Sequence, residues 1–234
     1  MAGKTRLKAR VSGIVLAAGR SSRIGGTKQL LEFNGNTLLG GVIAAAKSSR
    51  LDEILVVLGH DAQNIERRVD LSGVRVVMNE DYEQGQSTSV KAGLSHVSPH
   101  ADAAMFLLAD QPLVDGRIID ALIAGFEDSR KPIVVPVSGG RRGNPVIIGR
   151  ELFAELAASA RGDAGARVLF GTHAGDMRCV ELGTLCIHAD VDTLEDYRRL
   201  LATAGDAPED PSQIRSNDEV KDEHTGEALS LIHI

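Results

Sequence analysis

The 234-residue chain contains no tryptophan, and only 3% of its residues are aromatic. It therefore lacks the aromatic side chains on which proteins stack the bases of single-stranded nucleic acid. Its two cysteines are too few for a disulfide framework and favour a reducing, cytoplasmic location. No apolar run approaches the roughly 20 residues that a transmembrane helix requires, so we expect no membrane span.

An excess of positive charge is also absent, because the formal net charge is −6. Residues 205–234 hold eight acidic and two basic residues, so residues 1–204 are neutral as a whole. A neutral folded part argues against non-specific binding to DNA or to membranes. We expect a single folded domain over residues 1–204 and a disordered acidic tail over 205–234, since the tail has too little apolar content to form a core.

Short apolar runs that alternate with helical patterns dominate the sequence from residue 11 onward. Continuous apolar strands separated by helices of about 10–15 residues predict βαβ units. The expected fold is therefore α/β, with a Rossmann-like, mostly parallel sheet in a three-layer α/β/α arrangement. The predicted strands are Val11–Ala17, Ile54–Leu58, Val74–Met78, Ala103–Leu108, Ile133–Val137, Val146–Ile148 and Met177–Glu181. The predicted helices span residues 37–47, 61–69, 87–94, 118–126, 151–160 and 193–201.

A loop rich in glycine, serine and basic residues follows the first predicted strand, over Leu16–Lys28. Loops at the carboxyl ends of strands are where open α/β sheets bind ligands. The small residues allow close approach of the backbone to a phosphate chain, and Arg20, Arg23 and Lys28 add three cations. The glycine spacing fits neither the dinucleotide-binding fingerprint nor a P-loop. The alternative for this segment alone is a flexible loop with solvated charges.

Carboxylates follow the apolar strand Ala103–Leu108 and recur near the end of the predicted domain. Asp110 comes directly after the strand, and Asp190 and Asp192 lie at strand spacing on one face. Two carboxylates from remote segments suit Mg²⁺, a hard ion that keeps waters and shares substrate phosphates. The alternative is that Asp110 or Asp192 merely caps a helix.

The segment Leu16–Lys28 resembles the L-A-A-G-x-S-x-R-M-G-x-x-K signature of the MobA-like nucleotidyltransferases, with Ile24 where methionine is usual. Within that superfamily the chain is most similar to the molybdenum cofactor cytidylyltransferase (MocA) branch. Its segment 190–197 resembles the closing D-x-D-T-P-E-D-Y, with Leu194 in place of proline. Further stretches that support the resemblance are 79–89, 108–112, 140–146 and 162–167.

The resemblance implies a fold of the nucleotide-diphospho-sugar transferase type and a transfer of CMP from CTP to the phosphate of molybdopterin, with Mg²⁺ as cofactor. It implies catalytic roles for Lys28, Arg23 and Asp110, and a metal site at Asp110 and Asp190, with Asp192 the competitor for the second place. The implied nucleotide-binding residues are Leu16, Ala17, Ala18, Gly19, Arg20, Lys28, Asn79, Gly85, Ser87 and Ser89. The implied acceptor-binding residues are Arg141, Arg142, Asn144, Asp163 and Arg167.

Several functions remain open on the sequence. The relatives that use GTP have glycine where this chain has Ala18, so the resemblance favours CTP. Transfer to another phosphorylated acceptor, such as a methylerythritol phosphate or a sugar phosphate, is an alternative with the same chemistry. A protein of another class, a carrier that holds the finished cofactor for an apo-molybdenum hydroxylase or its chaperone, is a further alternative.

Overall fold

Short aliphatic strands form one eight-stranded sheet in the computed structural model, which describes residues 8–203 except Ser22. The predicted tail, 205–234, lies outside the described residues. A separate two-stranded hairpin follows the first strand. The strands are β1 (Val11–Leu16), β2 (Glu32–Phe33), β3 (Asn36–Thr37), β4 (Glu53–Leu58), β5 (Arg75–Met78), β6 (Ala103–Leu108), β7 (Ile133–Ser138), β8 (Arg141–Arg142), β9 (Val146–Gly149) and β10 (Met177–Glu181).

Six α-helices connect and cover the strands, and each begins or ends within a few residues of its predicted bounds. Thr37 caps the first helix, because its hydroxyl accepts a hydrogen bond from the backbone N–H of Gly40 at 3.0 Å. The helices are α1 (Leu38–Lys47), α2 (Ala62–Arg68), α3 (Gln86–His96), α4 (Gly116–Ser129), α5 (Phe153–Ser159) and α6 (Leu194–Thr203). In the part of the chain that the structure describes, no helix has both the length and the apolar character needed to cross a bilayer.

The sheet is mostly parallel, as the alternation of strands and helices predicts. Its strand order is β10-β7-β9-β6-β1-β4-β5, with β8 paired to the edge of β7. Strand β1 is parallel to both neighbours, and its Ile14 lies opposite Leu55 of β4 and Phe106 of β6. The chain adds β4 and β5 on one side of β1 and later returns to add β6 on the other side. Such a reversal opens a crevice at the carboxyl ends of the strands.

The core lies in two layers, one on each face of the sheet. Side chains of α1, α2 and α4, such as Ile43 and Ile119, pack with one set of strand residues. Val90 of α3 and Leu156 of α5 pack with the other set. The expected three-layer α/β/α arrangement is therefore confirmed.

Three strand pairings within the eight-stranded sheet are antiparallel, which the sequence pattern does not predict. Strand β9 lies between β6 and β7 and runs antiparallel to both, and β8 forms an antiparallel pair with β7. The physical reason is the short connection between β7 and β9. A parallel crossover needs a dozen or more residues, and the segment from Ser138 to Val146 is shorter than that. The small hairpin of β2 and β3 was also not predicted.

Candidate active site

A buried glutamine holds the glycine-rich loop after β1 in a defined shape. The side chain of Gln29 is 2% exposed, and its Nε2 donates hydrogen bonds to the carbonyl oxygens of Ala17 at 2.9 Å and Gly19 at 3.0 Å. Its Oε1 accepts a hydrogen bond from the hydroxyl of Ser21 at 3.2 Å. Gln29 was missed in the sequence reading. The signal was a polar residue directly before the apolar pair Leu30 and Leu31.

Lys28 joins the loop to the two remote carboxylate segments. Its ammonium lies 2.5 Å from Oδ2 of Asp110 and 2.9 Å from Oδ1 of Asp192. Burial alone would lower the pKa of Lys28, but the charge of Asp110 and the hydrogen bonds to Asp110 and Asp192 outweigh it and raise this pKa. Arg23 forms a second, more exposed ion pair with Asp192 at 3.2 Å. The structure thus brings Lys28 and Arg23 together with Asp110 and Asp192, whereas Arg20 pairs with Glu83.

Asp190 is the third carboxylate of this cluster and lies near Asp110 and Asp192. The side-chain amide of Gln111 donates a hydrogen bond to its Oδ1. The backbone N–H of Val191 donates to the carbonyl oxygen of Asp110 at 3.0 Å, which ties the two segments together. Burial, reinforced by the negative charge of Asp110, raises the pKa of Asp190 to about 6.

This pKa predicts how the stability of the metal-free protein depends on pH. A carboxyl whose pKa is higher in the folded state than in the unfolded chain favours folding at low pH, and that contribution is lost as pH rises through about 6. Asp190→Asn should therefore raise the melting temperature relative to wild type at pH 7.5 with chelator present, and change it little at pH 4. Thermal unfolding at both pH values measures this. An equal effect of the substitution at pH 4 and pH 7.5 would contradict it.

The N-terminus of α3 lies across the first cavity from the glycine-rich loop after β1. Gly85 precedes it with φ +103, and a Cβ at this position would meet the carbonyl carbon of Gly162 at 2.5 Å. The backbone N–H of Ser87 donates to the carbonyl oxygen of Gly162 at 2.8 Å. Segment 162–167 is thereby docked against α3, with Asp163 close to the first turn. Glycine at 85 is required by both the positive φ and the close approach.

The side chain of Asn79 contacts the first turn of α3. Its side-chain amide donates hydrogen bonds to the hydroxyls of Thr88 and Ser89, each at 2.9 Å. Asn79 is buried, and it does not line either of the cavities described below. Its position therefore suits a residue that orients the first turn of α3.

Two cavities lie side by side at this edge of the sheet. The first, of about 360 Å³, runs along the loop after β1, and the second, of about 340 Å³, lies towards β9 and segment 162–167. They share a wall formed by Leu16, Gln86, Leu108 and Asp163. Predicted site residues that line the first cavity are Leu16, Ala18, Gly19, Arg20, Arg23, Lys28, Gly85, Ser89, Asp110, Asp163 and Asp192.

The predicted acceptor residues are divided by the structure. Asn144 and Arg167 line the second cavity together with Asp163. Arg141 and Arg142 are exposed on β8 and line neither cavity. Among the nucleotide-binding candidates, Ala17 and Ser87 are buried and line neither cavity.

The carboxylates offer a place for a divalent cation. Oδ1 of Asp110 is buried without a hydrogen-bond partner, and Asp190 is held beside it with its charge disfavoured. Two carboxylates that repel each other, one with a free oxygen, suit a hard cation that draws its other ligands from water and phosphate. No group of three or more histidine, cysteine or acidic side chains that could hold a metal is found in residues 8–203 other than Ser22. The two carboxylates by themselves fit a metal that takes its remaining ligands from water and a substrate.

Comparison with known proteins gives this arrangement a family. Residues 13–177 match the family described as the MobA-like NTP transferase domain. The chain belongs to this family. Its mostly parallel sheet flanked by helices has the nucleotide-diphospho-sugar transferase fold. The same fold occurs in a nucleotidyl transferase from Methanothermobacter thermautotroptrophicus, with a TM-score of 0.72, 23% identity, and coverage of 83% of this chain and 97% of that one.

Three curated relatives match over most of their length. Nicotine blue oxidoreductase of Paenarthrobacter nicotinovorans is 31% identical, over 82% of this chain and 96% of the relative. The purine catabolism protein PucB of Bacillus subtilis is 31% identical, over 79% and 93%. The molybdenum cofactor cytidylyltransferase of Escherichia coli is 26% identical, over 79% and 92%. These relatives share a family and carry the names of different activities.

A solved structure with higher sequence identity than the Methanothermobacter protein contains a metal. Rv0371c from Mycobacterium tuberculosis, in complex with manganese, is 32% identical to this MobA-like chain with a TM-score of 0.71. The match covers 83% of this chain and all of that one. A homologous protein thus binds a divalent cation.

Proposed function

We propose that the protein transfers CMP from CTP to the terminal phosphate of molybdopterin, with release of pyrophosphate. The observation that carries this proposal is the meeting of Lys28, Asp110 and Asp192 in the lining of the first cavity, which shares a wall with the second. A nucleotidyl transfer needs two substrates side by side with their phosphates meeting at a charged group. The family supports nucleotide chemistry, and the relative from Escherichia coli supports this acceptor.

The first cavity suits the nucleotide. Ala18 and Gly19 form one wall, where the backbone can approach a base, and Arg20 and Arg23 supply positive charge. Lys28 reaches the same cavity as a buried point charge suited to a phosphate. When the triphosphate binds, the ammonium of Lys28 is placed to exchange its carboxylate partners for phosphate oxygens.

The second cavity suits a flat, partly apolar acceptor that carries a phosphate. Val90, Phe106 and Val146 contribute apolar walls, whereas Asn144 and Arg167 contribute polar groups. Burial lowers the pKa of Arg167 from its usual value, with Asp190 opposing that shift. The guanidinium nevertheless stays protonated at neutral pH and offers the paired N–H groups that phosphate prefers.

The reaction requires positioning and charge neutralisation more than covalent help from side chains. The acceptor phosphate forms a bond to the α-phosphorus of CTP, and the bond from that phosphorus to the pyrophosphate oxygen breaks. Asp110 and Asp190 would hold Mg²⁺, which supplies a positive charge for the phosphate oxygens. Lys28 and Arg23 would neutralise the departing pyrophosphate.

Pyrophosphate release tests the proposal. The protein is incubated with CTP and Mg²⁺, with and without molybdopterin, and release is expected only when both substrates are present. If a sugar phosphate or methylerythritol phosphate supports turnover and molybdopterin does not, the acceptor is that compound and not molybdopterin. Binding of the cofactor without turnover of any nucleotide would indicate a carrier for an apo-molybdenum hydroxylase or its chaperone.

The cation of the second cavity gives a specific prediction for the acceptor. Arg167→Met keeps an unbranched apolar stem of similar volume to the arginine stem but removes the guanidinium, so the KM for molybdopterin should rise about tenfold or more, with the KM for CTP little changed. Steady-state kinetics with each substrate varied in turn measures both values. Arg117→Met is the matched control and should change neither KM, because Arg117 is an exposed partner of Asp115 at 2.7 Å and lines neither cavity. A rise confined to the KM for CTP would place Arg167 on the nucleotide side.

A further inference from the structure

The backbone turn at the first cavity has its carbonyl oxygens already in use. Those of Ala17 and Gly19 accept hydrogen bonds from Nε2 of Gln29, and that of Ala18 accepts from the backbone N–H of His60 at 3.1 Å. Among the residues that the structure describes, no atom accepts a hydrogen bond from the backbone N–H of Ala18 or Gly19. Both residues line the cavity. Among the described residues, the turn therefore has two unpaired N–H donors and three carbonyl oxygens that each already accept one hydrogen bond.

This polarity selects between nucleobases. The pairing edge of cytosine carries two acceptors, O2 and N3, beside its N4 amino donor, and the two acceptors can receive hydrogen bonds from the two N–H groups. The pairing edge of guanine carries the N1–H and N2 amino donors beside its O6 acceptor. Those two donors would need carbonyl oxygens that are directed towards the amide of Gln29 and the backbone N–H of His60. A site that leaves such groups unpaired discriminates far more strongly than one that differs by a methyl group.

We infer that Gln29 is the specificity-determining residue for the nucleobase, acting as a positioning residue through the backbone of Ala17 and Gly19. Its amide is satisfied on both sides, by two carbonyl oxygens and by the hydroxyl of Ser21. Gln29 is 2% exposed and borders the first cavity, but its side-chain amide is bonded to the turn, so its effect on a ligand passes mainly through the turn. This inference rests on the proposed binding of a nucleotide at the turn, and it goes beyond the expectation that Ala18 alone favours CTP.

The test is the ratio of two dissociation constants, for CTP and for GTP, measured by calorimetry with Mg²⁺ and without any acceptor. We expect wild type to bind CTP more tightly than GTP, and Gln29→Met to reduce that preference by about 10- to 100-fold. The ratio is independent of the fraction of protein that is active. Affinity for inorganic tripolyphosphate should stay near the wild-type value, because Arg23 and Lys28 are unchanged.

The chain offers a matched control in its other buried glutamine near the site. Gln111 is 1% exposed and bonds to Asp190 and to the carbonyl oxygen of Ile187, away from the turn. Gln111→Met should leave the preference for CTP over GTP unchanged. If Gln29→Met does not fold, Gln29→Asn, whose shorter amide cannot reach both carbonyl oxygens, gives the same comparison.

An unchanged ratio in the folded Gln29 variants would overturn the inference, as would an equal loss of affinity for tripolyphosphate, which would make Gln29 a general support of the loop. Wild type that binds GTP as tightly as CTP would overturn it too, while nucleotidyl transfer would stand. Because the titrations contain no acceptor, a failure of molybdopterin as substrate leaves their outcome unaffected. Binding of neither nucleotide would overturn both proposals.

Discussion

Asp110→Asn is expected to reduce turnover by about 100-fold or more while the protein stays folded. The substitution keeps the volume of the side chain and removes the negative charge that meets Lys28 at 2.5 Å. It also removes the buried Oδ1 that has no protein partner. A neutral amide at this place is a poor ligand for Mg²⁺ next to a triphosphate.

Pyrophosphate release and thermal unfolding of the same preparations test the prediction. Asp176→Asn is a suitable control, since Asp176 is an exposed partner of Lys131 at 3.7 Å, outside both cavities. It should leave turnover and melting temperature near their wild-type values. If the turnover of Asp110→Asn stays within about tenfold of wild type and its melting temperature is normal, Asp110 has no essential role in the reaction.

Lys28→Ala is expected to cause a loss of turnover of similar size and also a measurable loss of stability. The ammonium lies between two carboxylates, and all three side chains are mostly buried, with exposures of 15%, 17% and 26% for Lys28, Asp110 and Asp192. Without it, two negative charges lose their partner, which we expect to cost about 1–3 kcal/mol after allowance for partial exposure. The sequence alone predicts an effect on turnover far larger than on stability, and the ion pairs add the second effect.

Denaturant unfolding gives the change in free energy, and initial rates corrected for folded fraction give the turnover. Mg²⁺ at saturating concentration should restore part of the stability of Lys28→Ala, because a cation at the carboxylates replaces the lost charge. Lys47→Ala serves as the control, since Lys47 forms a surface pair with Asp70 at 3.7 Å. Full turnover per folded molecule of Lys28→Ala would make Lys28 a structural residue.

Much of the fold could be predicted because its signals are local. Apolar runs bounded by turn residues marked β1, β4, β5, β6 and β7, and Thr37 marked the start of α1. The antiparallel insertion of β9 could also have been predicted from its short connection to β7, since too few residues intervene for a crossover. The hairpin of β2 and β3 was missed because two-residue strands have no periodicity to detect.

The sequence predicted which charged residues belong to the site, but it did not predict which of them form ion pairs with one another. Lys28 and Asp110 are 82 residues apart, and no sequence pattern indicates that Lys28 would bond to Asp192 as well as to Asp110. Arg141 and Arg142 matched the expected acceptor segment, yet the pairing of β8 with β7 leaves them exposed at the sheet edge. Asn79 matched a nucleotide segment and lies beneath α3.

The sequence by itself determined the alternating layers, the carboxyl-edge loop and the residue types that meet phosphate, because periodicity and turn chemistry act over a few neighbouring residues. Only the tertiary structure decided which carbonyl oxygens Gln29 bonds to and which of the basic residues line a cavity. It also decided that Asp190 bonds to Gln111 and has a raised pKa, whereas Asp192 pairs with Lys28 and Arg23. Those properties depend on burial and on distances between segments far apart in the chain. Burial and long-range distance arise only when the sheet brings its strand ends together.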